Sequence, residues 1–336
     1  MRYRRFGSSD LEVSEVGFGF WTIATDWWGR VDDKAGLVHA ALDAGITFFD
    51  TAPAYGDDGF GERLVAELLG RRDDVVVTTK CGYDITAPRM AHQSERPQDW
   101  TPTGVRKQVE DSLRRLDREA IDLLQLHNVR IDPVRDDALW DELAKLRAEG
   151  KVRELGVSLG PAVGWVEEGI ESLRDRDIVA LQTVFNILEQ EPGRTFAAQP
   201  AVAEGRVGLI SRVPHASDVL SGKIDRDTVF AEDDHRAYRN RDNMLDNFEK
   251  ADTLAFLWAP ETGRTIGQAA MAGILAFDAF TTVLPTCVNI GEVREYAAAS
   301  DLPLSRDEKA ELDALWARNF DHTDRYEMPL KSSVAS

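Results

Sequence analysis

The chain is short of cysteine, of lysine and of positive charge. Only two of its 336 residues are cysteine, Cys81 and Cys287, and with six histidines they make no metal-ligand spacing. No H-E-x-x-H or H-x-x-E-H run occurs, so no metal is expected and the thiols are expected to be reduced and without a role. No apolar run reaches the roughly 18 residues of a membrane helix. The opening "MRYRRFGSSDLEVS" has charges but no apolar core of the signal-peptide kind. A cytoplasmic enzyme with no membrane partner is the expectation.

The formal charge is −19 and the pI about 4.8. A nucleic-acid partner would need a basic face and is not expected. Lysine supplies nine of the cations and arginine 31. Scarce lysine with abundant Asp and Glu fits a high-salt habitat, where self-repulsion is screened; a GC-rich genome accounts for the arginine bias equally well. Under the high-salt reading, unfolding midpoints rise between dilute buffer and molar KCl. A stability that salt leaves unchanged removes that reading.

What the chain has is a hydrophobic share of 43%, enough for a large core. Short apolar runs alternate with helical periodicity. "VSEVGFG" leads to "GLVHAALDAG", whose Gly45 is a helix-stop signal; then come "ITFFD", "GERLVAELLG" and "DVVVTTK". "TPTGVRKQVEDSLRRL" feeds "IDLLQLH", "DALWDELAKLRAEG" feeds "VRELGVSLG", and "WVEEGIESLRDR" feeds "IVALQTVFN". "QPAVAEG" then precedes "VGLISRVP", and "TIGQAAMAGILAF" precedes "TTVLPT". Such β-then-α units in series, eight in all, predict a (β/α)8 barrel rather than a doubly wound sheet. "GFGFWT" lacks the third glycine of a dinucleotide fingerprint, and no helix is expected to open there. "YRRFGSSDLEVS" reads as a β-hairpin closing the barrel's bottom. Two long segments, Gly82 to Trp100 (with Pro88 and Pro97) and His215 to Pro260, follow strands and are expected as loops on the C-terminal face. One domain over 1–336 is expected, with 327–336 a flexible tail.

Polar residues recur at one place, the C-terminal end of successive strands. Asp50, Lys80, His127 and Ser158 end the second to fifth, Gln182 lies on the sixth, and Arg212 follows the seventh. Each alone has a plain reading: a turn cap, a snorkelling lysine, a core histidine. In a parallel barrel these ends converge on one face. An ammonium beside a tyrosine stabilises its phenolate, and a carboxylate holds that ammonium charged. Asp50, Lys80 and Tyr55 form such a set, with His127 able to donate a hydrogen bond to a carbonyl oxygen or relay a proton.

"DTAPAYG" resembles the D-T-A-x-x-Y-G signature of the aldo-keto reductase superfamily. "VVVTTK", "IDLLQLH", "VRELGVSLG" and "LISRVPHASDVLSGK" are similar to its later blocks, in order, over nearly the whole chain. The resemblance implies a (β/α)8 barrel, a nicotinamide cofactor, NADP(H) or NAD(H), and a catalytic set of Tyr55, Asp50, Lys80 and His127 acting on a small carbonyl or alcohol. It implies that Ser158 and Gln182 hold the carboxamide, although Leu159 stands where the family usually has asparagine. It puts Arg212 where an aromatic ring usually stacks on the nicotinamide, and Val213, Pro214, His215, Ser217 and Lys223 in the pyrophosphate loop. Pro285, Thr286, Val288, Glu292 and Tyr296 fall in the adenosine segment. There Glu292 and Glu295 suit a free 2′-hydroxyl, while the family's habit favours a 2′-phosphate. Trp21 matches a position walling both cofactor and substrate, and Trp27 and Trp28 lie close by. Two other readings stay open: a regulatory subunit of the potassium-channel β type, and a lyase using Lys80 as a Schiff base.

Overall fold

The computed structural model describes residues 1–25, 27–87, 95–232 and 234–333. Pro88 of the first long loop, and 334–336 of the expected tail, lie outside the described residues.

The chain opens with an antiparallel hairpin, β1 (Tyr3–Arg5) and β2 (Glu12–Ser14), with Tyr3 opposite Ser14. Its turn needs Gly7: φ is +49°, and a Cβ there would lie 2.1 Å from the Arg206 carbonyl oxygen. That close approach seats the hairpin beneath the sheet. Phe6 is fully buried, its ring 5.3 Å from that of Phe48, in a cluster with Val76, Leu123, Ala180 and Ile210. Burying such a side chain contributes roughly 1.5–3 kcal/mol. The hairpin therefore plugs the bottom, as its sequence predicts.

Eight parallel strands follow: β3 (Phe18–Gly19), β4 (Phe48–Asp50), β5 (Val76–Cys81), β6 (Ile121–His127), β7 (Val152–Ser158), β8 (Ala180–Val184), β9 (Gly208–Arg212) and β10 (Phe280–Leu284). Each pairs with its sequence neighbour. The ring closes ahead of β3, where Val16 bridges Val283 and the Gly17 amide donates to the Val283 carbonyl at 2.9 Å. The fold is a (β/α)8 barrel.

Helices form where the caps are. Thr101 accepts from the Gly104 amide to start Pro102–Leu116, and Thr265 with Gln268 makes a capping box for Ile266–Leu275. In two places the structure departs from the sequence expectation. A one-turn helix, Trp21–Thr25, opens directly after β3, where none was expected. Thr22, Ile23 and Ala24 are buried, so tertiary contact rather than propensity holds it. The second long segment is also not a plain loop. It contains the helix Arg241–Asp252, capped by Asn240, which buries Met244, Phe248 and Ala251 on one face. That i, i+4, i+7 signal is present in the sequence but sparse within a polar stretch. Within the expected tail, Lys331 pairs with Gly164, and the Ser333 amide donates to Glu168 at 3.1 Å. No helix among the described residues is long and apolar enough to cross a membrane.

Candidate active site

Strand alternation decides what faces the barrel axis. Phe48, Val76, Leu123, Ala180 and Ile210 belong to the interior cluster, whereas Phe49, Val77, Leu124, Leu181 and Leu209 pack outward. Successive side chains point to opposite faces, so residues two or four further along each strand also point inward. Those residues are Asp50, Lys80, His127, Gln182 and Arg212. Parity and equal strand ends thus stack one charged layer on an apolar plug.

Lys80 is wholly buried. Its Nζ donates to Asp50 Oδ1 at 2.7 Å, to the Thr51 carbonyl at 2.9 Å and to Tyr55 Oη at 3.1 Å. The Tyr55 and His127 rings meet edge to face at 5.8 Å. Gly56 positions the tyrosine: φ is +76°, and a Cβ would come within 2.9 Å of the Ala24 carbonyl oxygen, a conformation and a space only glycine suits. The four residues expected to act together are together.

Electrostatics refine their states. Burial pushes the Tyr55 hydroxyl well above its ordinary value, and Asp50 adds to that, while Arg212 opposes it. The sequence expectation was an ammonium favouring the phenolate; burial and the neighbouring carboxylate outweigh it, so the group is a protonated phenol at neutral pH. Burial lowers Lys80, and Asp50 works against that. His127 is held well below its usual value by burial, then by Lys80 and Arg212. It is a neutral imidazole at pH 7, suited to donating a hydrogen bond rather than carrying a proton charge.

Ser158 and Gln182 join the layer through hydrogen bonds. Ser158 Oγ donates to Gln182 Oε1 at 3.2 Å, and Gln182 Nε2 donates to Asp50 Oδ2 at 3.1 Å. Gln125, unmarked in the sequence reading, donates to Asp50 Oδ2 at 3.2 Å and to Thr78 Oγ1 at 2.8 Å. A glutamine two residues before His127 in the apolar "IDLLQLH" was its visible signal.

Above this layer lies a cleft of about 320 Å³. Its walls include Trp21, Trp27, Trp28, Tyr55, His127, Gln182, Pro285 and Thr286, and also Arg212, Val213, Pro214, His215 and Ser217. The arginine is not free to stack at will. Its Nη2 donates to the Leu159 carbonyl at 2.6 Å and to the Gly160 carbonyl. After it, Val213, Ala216, Ser217 and Asp218 all take positive φ, a costly geometry for a β-branched valine. Lys223, Val288, Glu292 and Tyr296 are not walls of the cleft. Glu292 accepts from the Val288 amide at 2.8 Å, from Asn289 Nδ2 at 2.7 Å and from Lys223 Nζ at 3.0 Å. Tyr296 is buried against the His215 ring, 4.4 Å away.

Two features were invisible in the sequence. His235, from the second long segment, lies flat on Trp27 with ring centroids 6.1 Å apart and 5.4 Å from Trp21. Asp218 Oδ2 accepts from Trp28 Nε1 at 3.0 Å and from Arg236 at 2.5 Å, tying the segment after β3 to both parts of the second long segment. Away from the cleft, Asp246, His322 and Asp324 bring ligand atoms within 4.8 Å of one another. Arg325 already sits on Asp246 at 2.7 Å and Lys250 on Asp324 at 2.7 Å, so protein cations balance that cluster.

A sequence model described as "Aldo/keto reductase family" matches residues 15–317. The chain belongs to the aldo/keto reductase family. Among solved structures, the glycerol dehydrogenase of Gluconobacter oxydans is 28% identical, covers 97% of this chain and 99% of that one, and superposes with a TM-score of 0.79. The aldo-keto reductase YhdN of Bacillus subtilis is 29% identical over 70% of this chain and 69% of its own length. The NADH-specific methylglyoxal reductase of Escherichia coli is 27% identical over 89% of this chain and 93% of its own length. As an aldo/keto reductase the chain is a nicotinamide-dependent enzyme that interconverts a carbonyl and an alcohol.

Proposed function

We propose that Tyr55 gives the proton to the carbonyl oxygen of an aldehyde, ketone or sugar, while His127 donates a hydrogen bond to that same oxygen. The observation that carries this reading is the buried contact of Tyr55 Oη with Lys80 Nζ at 3.1 Å, backed by Asp50. A protonated phenol is the form reduction needs. As it yields its proton, the ammonium 3.1 Å away stabilises the phenolate left behind. Lys80, with Nζ shared among three oxygens, is retained as an ammonium rather than as a Schiff-base nucleophile.

The cleft suits a nicotinamide dinucleotide. Both His215 ring nitrogens and Arg212 Nε are buried without a hydrogen-bond partner among the described residues. These orphaned groups border the positive-φ turn from Val213 to Asp218. Arg212 would lie at the nicotinamide end beside Tyr55, Val213, Pro214, His215 and Ser217 would hold the pyrophosphate, and Pro285 and Thr286 the segment next to it. When bound, the group supplies the hydride. Ser158 and Gln182 keep Asp50 aligned, and Gln182 also faces the cleft. Trp21, Trp27 and Trp28 wall the substrate space.

At the adenosine end, the one lysine of the loop, Lys223, is already claimed by Glu292. Glu295 accepts from Thr265. A dianionic 2′-phosphate would meet these carboxylates with no uncommitted lysine beside it, so NADH is the preferred cofactor in this reading. A panel of aldehydes, ketones and aldoses, followed by nicotinamide absorbance with each cofactor, tests both parts. Turnover with kcat/KM at least about tenfold higher for NADH is expected, the size of one lost charge-assisted contact. A preference for NADPH overturns the carboxylate argument; no turnover with any carbonyl overturns the reductase reading.

A further inference from the structure

The cleft carries a charge imbalance that the reaction itself does not explain. Of its acidic wall residues, Asp50 is paired with Lys80 at 2.7 Å, Glu95 with Arg130 at 2.7 Å and Asp218 with Arg236 at 2.5 Å. Arg96 is paired with Asp57 at 2.9 Å. Arg212 and Arg239 line the same cleft, and neither has a carboxylate partner among the described residues. Two uncompensated guanidiniums therefore face one cavity in a chain of net charge −19. Low-dielectric walls concentrate the field of such charges inside a cleft.

The two arginines stand in different places. Arg212 is committed to the Leu159 and Gly160 carbonyls and acts electrostatically on Tyr55 and Asp50, at the reacting end. Arg239 follows the short helix His235–Tyr238, one turn after the histidine that lies on Trp27. Its guanidinium makes no hydrogen bond or ion pair among the described residues and is half-buried. An arginine with five donors, no partner and a cavity in front of it is a receptor for a planar or tetrahedral anion.

Resting on the reductase reading above, we propose that the substrate carries an anionic substituent, a carboxylate or a phosphate monoester, which Arg239 binds while the carbonyl lies at Tyr55. Trp21, Trp27 and His235 line the same cleft as the two groups.

Calorimetric titration of the full chain with glycerate, with glycerol 3-phosphate and with glycerol tests this without turnover. At least one of the two anions is expected to bind about tenfold or more tightly than glycerol, and the arm that does so distinguishes carboxylate from phosphate. Arg239→Gln should weaken that binding about 10- to 100-fold, and Arg239→Lys should recover part of it. Thermal melts of both variants check that the fold persists. Glycerol binding as tightly as either anion overturns the proposal. So does anion affinity that Arg239→Gln leaves within about twofold, since the anion then sits at the positive-φ loop instead. If no carbonyl is turned over while the anion result holds, the reductase reading fails and the anion site stands.

Discussion

Replacing Tyr55 by phenylalanine is expected to lower kcat by about 10²- to 10⁴-fold, the range that a positioned general acid contributes. The change removes one oxygen and little volume. Tyr55 Oη is a partner of Lys80 Nζ, but Asp50 and the Thr51 carbonyl remain to hold that ammonium. The buried cation is therefore still satisfied, and the cofactor walls from Arg212 to Ser217 are untouched. Fluorescence titration with NADH should give a Kd within about twofold of wild type, since no charge-assisted contact to the cofactor is removed. The two measurements together decide the assignment. A variant that keeps wild-type kcat places the proton donor elsewhere; a variant that loses cofactor binding as well assigns Tyr55 a structural part instead.

The second large effect is on stability. Asp50→Asn keeps the shape and deletes the only carboxylate among the described residues in contact with the fully buried Lys80. Breaking a buried pair by removing one partner costs about 3–5 kcal/mol, and urea denaturation at pH 7 should show a loss of that order. The pH dependence has a definite sign. Burial lowers Lys80, and Asp50 is the main influence raising it. Without Asp50 the lysine is neutral in the native state over a wider pH range, yet still protonated when unfolded below its ordinary pKa of about 10.4. The unfolded state then binds more protons, so stability rises with pH up to that value. The deficit of the variant should shrink between pH 7 and 10, and activity should stay low throughout. A deficit that is flat with pH would refute the titration of Lys80 as its source, and a variant as stable as wild type would show that the pair contributes little and that Gln125 and Gln182 organise the layer.

Much of this was legible in the residues. Asp50, Lys80 and His127 end strands whose other inward positions are Phe48, Val76 and Leu123, so parity alone places them in one layer. Tyr55 could be read because it follows Asp50 by five residues in "DTAPAYG"; the positive φ of Gly56 that positions it came only with the structure. The helical segments "TPTGVRKQVEDSLRRL" and "TIGQAAMAGILAF" were legible, and the structure shows Thr101 and Thr265 capping them through contacts three residues apart. Contacts distant in sequence were not legible. Arg212 was expected at the nicotinamide, a position that suggests a role but not a direction. Its guanidinium turns to the carbonyls of Leu159 and Gly160, which arrive from another strand. Tyr296 was expected in the adenosine segment; its packing against the His215 ring could not be read from the sequence.

The sequence by itself determined the barrel, the order of its strands and the identity of the charged layer, because period-two alternation and local caps operate within a few residues. Only the tertiary structure decided protonation states, the pairing of Lys223 with Glu292, the place of His235 among the tryptophans, and which arginines remain uncompensated. Those depend on the dielectric around a group and on every charge within a few ångströms of it, and neither exists until the ring of strands has closed.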